Sequence, residues 1–179
     1  MRKEMRLVVP SRQYMESYLN AVARLEREFN IAKEDPSTSN GYKLARENFA
    51  AFLDKLENER HGINLGEGRV EQSVFWAIVD GSYVGRISLR HRLNESLQKI
   101  GGHIGYSVVP WERRRGYGKK MLALVLPRAK ELGLTKVLIT CDEDNIASKK
   151  IIEANGGILE NAVLQGDNIA RKLRYWINL

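Results

Sequence analysis

The sequence predicts an α/β chain of the α+β kind: a central mixed, mostly antiparallel sheet of six or seven strands with about four helices. Three observations carry this. Two N-terminal stretches repeat apolar side chains at the helical period of 3.6 residues. Asp80-Gly81 joins two runs rich in branched and aromatic residues, the signal of a two-residue hairpin. Further on, an apolar alternation ends at Pro110, passes a glycine turn, and enters a helical pattern followed by another strand. That intervening helix makes the two flanking strands parallel, and neighbouring parallel strands can part to admit a narrow ligand arm.

The elements follow in chain order. Residues 6–9 read as a short strand stopped by Pro10, and Ser11 is placed to cap the next helix, whose apolar positions run from Tyr14 and Tyr18 to Phe29. Residues 34–41 are polar and contain Pro36 and Gly41, so they read as a loop. A second helix carries Tyr42, Ala45, Phe49, Phe52, Leu53 and Leu56 on one face, and both aromatic stripes read as core. Strands are expected at 74–79, 83–93 and 103–109, with a turn over 94–102. The helix after the glycine turn runs to Gly133, a suitable C-terminal stop, with Pro127 expected to bend it. A strand at 136–141, a helix ending at Asn155-Gly156-Gly157, and strands at 158–164 and 169–178 around a turn at 165–168 complete one domain over residues 1–179.

Bulk properties restrict the function. A chain of 179 residues can bury a core unaided. A single cysteine excludes a disulfide framework, no Cys-x-x-Cys or paired-His spacing suggests a metal, and together these suit a reducing cytoplasm. No stretch reaches membrane-spanning length. The net charge of +7 favours anionic partners, and part of it lies at Arg113, Arg114, Arg115, Lys119 and Lys120, on the glycine turn itself.

That turn is suited to phosphate: Gly116 and Gly118 allow a tight bend with uncovered amides, and the helix behind adds its unpaired first-turn N–H groups. A Walker loop would need Ser or Thr where Lys120 stands. A dinucleotide turn would need glycine where Met121 stands, although Asp142 lies at about the ribose-binding distance. Three antiparallel strands ahead of the turn also argue against a dinucleotide fold.

Taken together, Gly102-His103-Ile104-Gly105-Tyr106-Ser107-Val108-Val109-Pro110, then Arg113-x-x-Gly116-x-Gly118, then residues 137–140 and Asn145-Ile146-Ala147-Ser148, resemble the GNAT N-acetyltransferases in order and spacing. The resemblance covers about residues 74–157 and implies the GNAT fold, with acetyl-CoA as co-substrate, an amine as acceptor, and no metal. It implies that backbone groups of Val108 and Val109 pair with the pantetheine arm. Amides of Arg113, Arg114, Arg115, Gly116, Tyr117, Gly118 and Lys119 would hold the pyrophosphate. Asn145 would contact the pantetheine, Ser148 would lie near the sulfur, and the Val108 N–H would stabilise the oxyanion. Two positions depart from the family: His103 stands where many members have glutamate, and Ile152 where many have a tyrosine that protonates the departing sulfur. His103 is the candidate base and Ile152 cannot donate a proton. Cys141 reads as a buried hydrophobe more than an acyl-carrying nucleophile. Glu34 and Asp35, beside the loop between the first two helices, could meet a cationic amine.

The expected function is therefore acetyl transfer from acetyl-CoA to a primary amine by direct attack, in the cytoplasm, without membrane association and without nucleic acid as partner. A homodimer is allowed for. The rival readings are a CoA-binding sensor without catalysis, suggested by Ile152, and a basic nucleic-acid-binding module, which lacks a recognised motif.

Overall fold

The computed structural model describes residues 4–29, 36–164 and 171–179. Its first sheet is antiparallel, in the order β1 (Met5–Val8), β2 (Gln72–Val79), β3 (Ser82–Arg90), β4 (Ile104–Val108). The hairpin between β2 and β3 is tight, with Val79 facing Ser82 and positive φ at both Asp80 (49°) and Gly81 (80°). That pair of angles matches the right-handed twist of the flanking strands. The expected third strand is shorter than its apolar pattern suggested, since the chain leaves β3 at Arg90 and forms a helical turn over Leu97–Gly101 before β4.

Helices α1 (Met15–Phe29), α2 (Pro36–Glu47) and α3 (Phe49–Arg60) precede β2. Two expectations need correction here. Residues 36–41 are helical, with Pro36 at the first position, where its missing N–H costs nothing. The single helix expected over 42–56 is instead two, because Asn48 turns extended (φ −152°) and its side chain accepts the Ala51 amide at 3.0 Å as a cap. Ser11 is extended before the turn into α1, yet its side chain makes no capping hydrogen bond. Much of the two aromatic stripes packs as expected, with Tyr18 stacked on Trp76 at 4.3 Å and Tyr83, Phe49 and Phe52 around them, while Met15 of the first stripe is exposed. This layer covers one face of the first sheet.

The opposite face is covered by α4 (Tyr117–Glu131), whose Met121, Leu122, Val125 and Ala129 are fully buried against Ile87 and Leu89 of β3 and Val137 and Ile139 of β5 (Lys136–Asp142). Pro127 lies within α4 on its exposed side, where water can hydrate the carbonyl left without a donor. After β5 come α5 (Ile146–Glu153), β6 (Ile158–Val163) and β7 (Lys172–Asn178). The second sheet has the order β5-β7-β6, again antiparallel. The expected turn at 165–168 lies outside the described residues. Strands β4 and β5 share no ladder, so where one mixed sheet is expected the strands form two antiparallel leaves that part between β4 and β5.

Candidate active site

The leaves meet at the start of β4. His103 donates its backbone N–H to the Leu138 carbonyl at 2.7 Å, and its Nδ1 accepts the Leu138 N–H at 2.9 Å. Gly102 makes this contact sterically possible: its φ is +67°, and a Cβ there would lie 2.6 Å from the Leu138 carbonyl oxygen. Beyond this clasp the strands diverge. Along β4, His103 and Val109 bond to β3 through Arg90 N–H to His103 O (2.7 Å) and Val109 N–H to Val84 O (3.0 Å). In an antiparallel ladder alternate residues turn their backbone groups outward, so the polar groups of Tyr106 and Val108 face the open edge. Arg113 Nε donates to the Val108 carbonyl at 3.1 Å on that side. Val109 corrects the expectation that both valines face a ligand: its N–H bonds to Val84 and its carbonyl takes the Glu112 N–H at 2.9 Å.

The glycine turn closes the far end of the cleft. A short helical turn at Pro110–Glu112 leads to Arg113, and the backbone is then left-handed at Arg114 (φ 63°) and Gly116 (φ 81°). A non-glycine residue in that region is uncommon, and such strain gathers at functional sites. No acceptor among the described residues takes the amides of Arg114, Arg115 or Gly116. Those of Tyr117, Gly118 and Lys119 form the first turn of α4, where no intrahelical acceptor exists. Six consecutive N–H groups at a positive helix end form an anion cradle. The arginine side chains are exposed, with Arg115 paired to Glu112 at 3.1 Å. The two glycines serve different ends. Gly116 supplies the left-handed bend with open space around it, whereas a Cβ on buried Gly118 would lie 2.6 Å from Ile151 Cδ1 of α5. Gly118 thus permits close packing of α4 on α5 and does not clear space for a phosphate oxygen.

Across the cleft, Asn145 caps α5, its side chain accepting the Ser148 N–H at 3.0 Å. Ser148 is half-buried, and its carbonyl receives the Tyr106 hydroxyl at 3.5 Å, so this tyrosine reaches from β4 to α5. Burial pushes the Tyr106 hydroxyl up to about 12, keeping it protonated at neutral pH. Ile152 is fully buried and offers no proton. Cys141 is buried, and desolvation, aided by Asp142, raises its thiol, the opposite of an activated nucleophile. His103 is 6% exposed and held down at about 4, by burial first and by Arg90 second. Its ring nitrogen facing β5 is committed to Leu138. Glu34 and Asp35 lie outside the described residues. Sequence reasoning missed Tyr106 as a proton-bearing group and Arg86, which lines a cavity on the helical face of the first sheet. The alternation Arg86-x-Ser88-x-Arg90 in an otherwise apolar strand was the available signal for the second.

The site is built from backbone on its phosphate side and from a parted strand edge at its centre, which is the architecture of a CoA-dependent acyltransferase. The family model for an acetyltransferase (GNAT) domain matches residues 15–158, and the chain belongs to that family. The fold agrees with solved acetyltransferases. A microcin C7 self-immunity acetyltransferase, MccE, determined with acetyl-CoA and AMP, superposes with a TM-score of 0.69 at 15% identity over 98% of this chain and 93% of its own. RimJ of Mycobacterium smegmatis, in complex with CoA-disulfide, gives 0.69 at 18% over 97% and 81%. RimL, a ribosomal L7/L12 alpha-N-protein acetyltransferase with coenzyme A, gives 0.62 at 14% over 98% and 94%. A search of curated protein sequences finds no significant match. The co-substrate is acetyl-CoA, and the free amides at 114–119 and the open edge at Tyr106 and Val108 suit its pyrophosphate and its amide-bearing arm. Among the described residues no group of His, Cys, Asp and Glu could hold a metal, and no helix is long and apolar enough to cross a membrane.

Proposed function

We propose that the chain, acting as one domain, transfers acetyl from acetyl-CoA to a primary amine by direct attack. The observation that carries this is the unpaired edge of β4 leading to a cradle of unpartnered amides. The amides from Arg114 to Lys119 bind the pyrophosphate, Val108 and Asn145 position the pantetheine, and the Val108 N–H donates to the carbonyl oxygen as it gains charge. The amine must arrive neutral. Its nitrogen forms the new C–N bond and loses its proton to water, the C–S bond breaks, and the sulfur takes a proton from the Tyr106 hydroxyl, which solvent reprotonates, with Ser148 as the nearby alternative. His103 is read as a clasp between the leaves, its basic nitrogen engaged elsewhere.

The test is titration calorimetry with acetyl-CoA, followed by release of free CoA thiol over a panel of primary amines and mass-spectrometric detection of the acetylated product. Micromolar binding with turnover of at least one amine is expected. Tight binding with no turnover of any amine would favour the sensor reading that buried Ile152 suggests.

A further inference from the structure

On the helical face of the first sheet, α1, α2, α3 and strands β2 and β3 enclose a cavity of about 140 Å³. Its floor is the row Arg86, Ser88 and Arg90 of β3, and its walls include Tyr18, Tyr42 and Lys55. Cross-strand register sets this floor beside the reacting edge: Arg86 faces Ser107 and Ser88 faces Gly105, one strand from the centre of the cleft. That spacing is about 4.8 Å. Gly105 contributes no side chain between them, and Ser88 Oγ reaches its carbonyl at 3.3 Å.

Among the described residues the charges lining this cavity do not balance. Glu59, buried at its rim, accepts Arg69 Nη1 at 2.9 Å and Gln72 Nε2 at 2.8 Å, so both its oxygens are used. Arg90 gives Nη1 to the carbonyls of Gly101 and Gly102 at 3.2 and 2.8 Å, which orients the guanidinium without neutralising it. The Arg86 side chain is half-buried and makes no hydrogen bond or ion pair among the described residues. Desolvation, then repulsion from Arg69 and Arg86, lowers the Arg90 guanidinium. Like charges gathered in a partly desolvated space cost free energy unless an anion joins them.

We infer that this cavity is the anion subsite of the acceptor, and that the acetylated amine is a small molecule carrying a carboxylate or phosphate held by Arg86, with Arg90 and Lys55 beside it. The inference rests on the acetyltransferase reading above. A cavity near ~150 Å³ holds a fragment of about benzene size, so it takes a charged head group with a few carbons. The planar guanidinium fork matches carboxylate and phosphate oxygens alike. The same cations destabilise an ammonium close by, so a bound amine loses its proton more readily before attack.

Calorimetry of wild type with CoA bound, using glutarate and inorganic phosphate as probes and glutaramide as the neutral control, tests the subsite directly. Saturable binding of at least one anion is expected, weakened about ten- to a hundredfold in Arg86→Gln and partly restored in Arg86→Lys, which returns the charge without the fork, with thermal unfolding confirming that both variants fold. Binding of neither anion to folded wild type overturns the proposal, as does binding that Arg86→Gln leaves unchanged. In turnover assays, β-alanine or phosphoethanolamine should outperform ethanolamine, the preferred one identifying the oxyanion, and Arg86→Gln should raise KM for the amine while KM for acetyl-CoA holds. Preferential acetylation of spermidine or of uncharged amines would sink the subsite and leave the acetyltransferase standing. Failure of acetyl-CoA to bind would sink the acetyltransferase, while the anion titration still decides the cavity.

Discussion

The phosphate turn and the acceptor cavity lie on either side of β4 and are built in contrasting ways. The turn is almost wholly backbone: consecutive amides, two left-handed residues, and a helix end within one short segment. The cavity gathers residues from three helices, two strands and, through Arg69, the loop before β2. Backbone sites depend on a few conformational requirements and tolerate few changes there. Side-chain sites can be revised one residue at a time, so acceptor choice can vary on a fixed cofactor platform.

The sharpest way to break that contrast is at the glycines. Gly118→Val should overpack α4 against Ile151 and Val108, destabilising the fold by about 1–3 kcal/mol and weakening acetyl-CoA binding severely. Gly116→Ala should cost about 1 kcal/mol from its positive φ while also weakening the cofactor. Urea unfolding and calorimetry separate the two, and normal acetyl-CoA affinity in both variants would remove the turn from the site.

The clasp comes next. His103→Leu leaves the Leu138 amide without an acceptor and should cost about 1–3 kcal/mol at pH 7, whereas His103→Asn, whose Oδ1 can accept that amide, should cost less. In the unfolded chain the imidazole takes its proton near 6.5, and in the fold near 4. Stability is therefore full above about pH 6.5 and declines as pH falls towards 4, by up to roughly 3 kcal/mol. Urea unfolding of wild type and His103→Asn at several pH values should show a shallower decline in the variant. Equal declines would mean that other groups carry the pH dependence. Any acid limb of activity near 6.5 should survive in His103→Asn.

A smaller effect is expected for Tyr106→Phe: slower turnover by less than about tenfold, because a thiolate of pKa near 8.5 leaves tolerably unaided, and unchanged acetyl-CoA affinity. Single-turnover rates would decide it. Smallest are the caps. Asn48→Ala should cost about 1 kcal/mol, while Ser11→Ala, whose side chain caps nothing, should change thermal stability little.

How much was legible follows the same division. The hairpin at Asp80-Gly81, the glycine turn and the strand order around it are local signals and were readable. The break at Asn48 was not, because the apolar period runs through it and only the cap geometry interrupts the helix. His103 looked like a base because its type suits the chemistry, and its bond to Leu138, 35 residues away, has no trace in local sequence. Val109 was misplaced by one step of strand alternation. Arg86 and Tyr106 gain their interest only when β3, β4, α5 and the N-terminal helices come together.

One amide in the clasp differs from the others in its sheet. Leu138 N–H donates to an imidazole nitrogen, so its protection from solvent hydrogen exchange depends on a side chain that can titrate. Measured residue by residue, its exchange would report the parting of the two leaves separately from global unfolding. A spreading motion that admits a long, thin ligand would register there first, as lost protection at Leu138 while the neighbouring amides that bond to β7 stay slow.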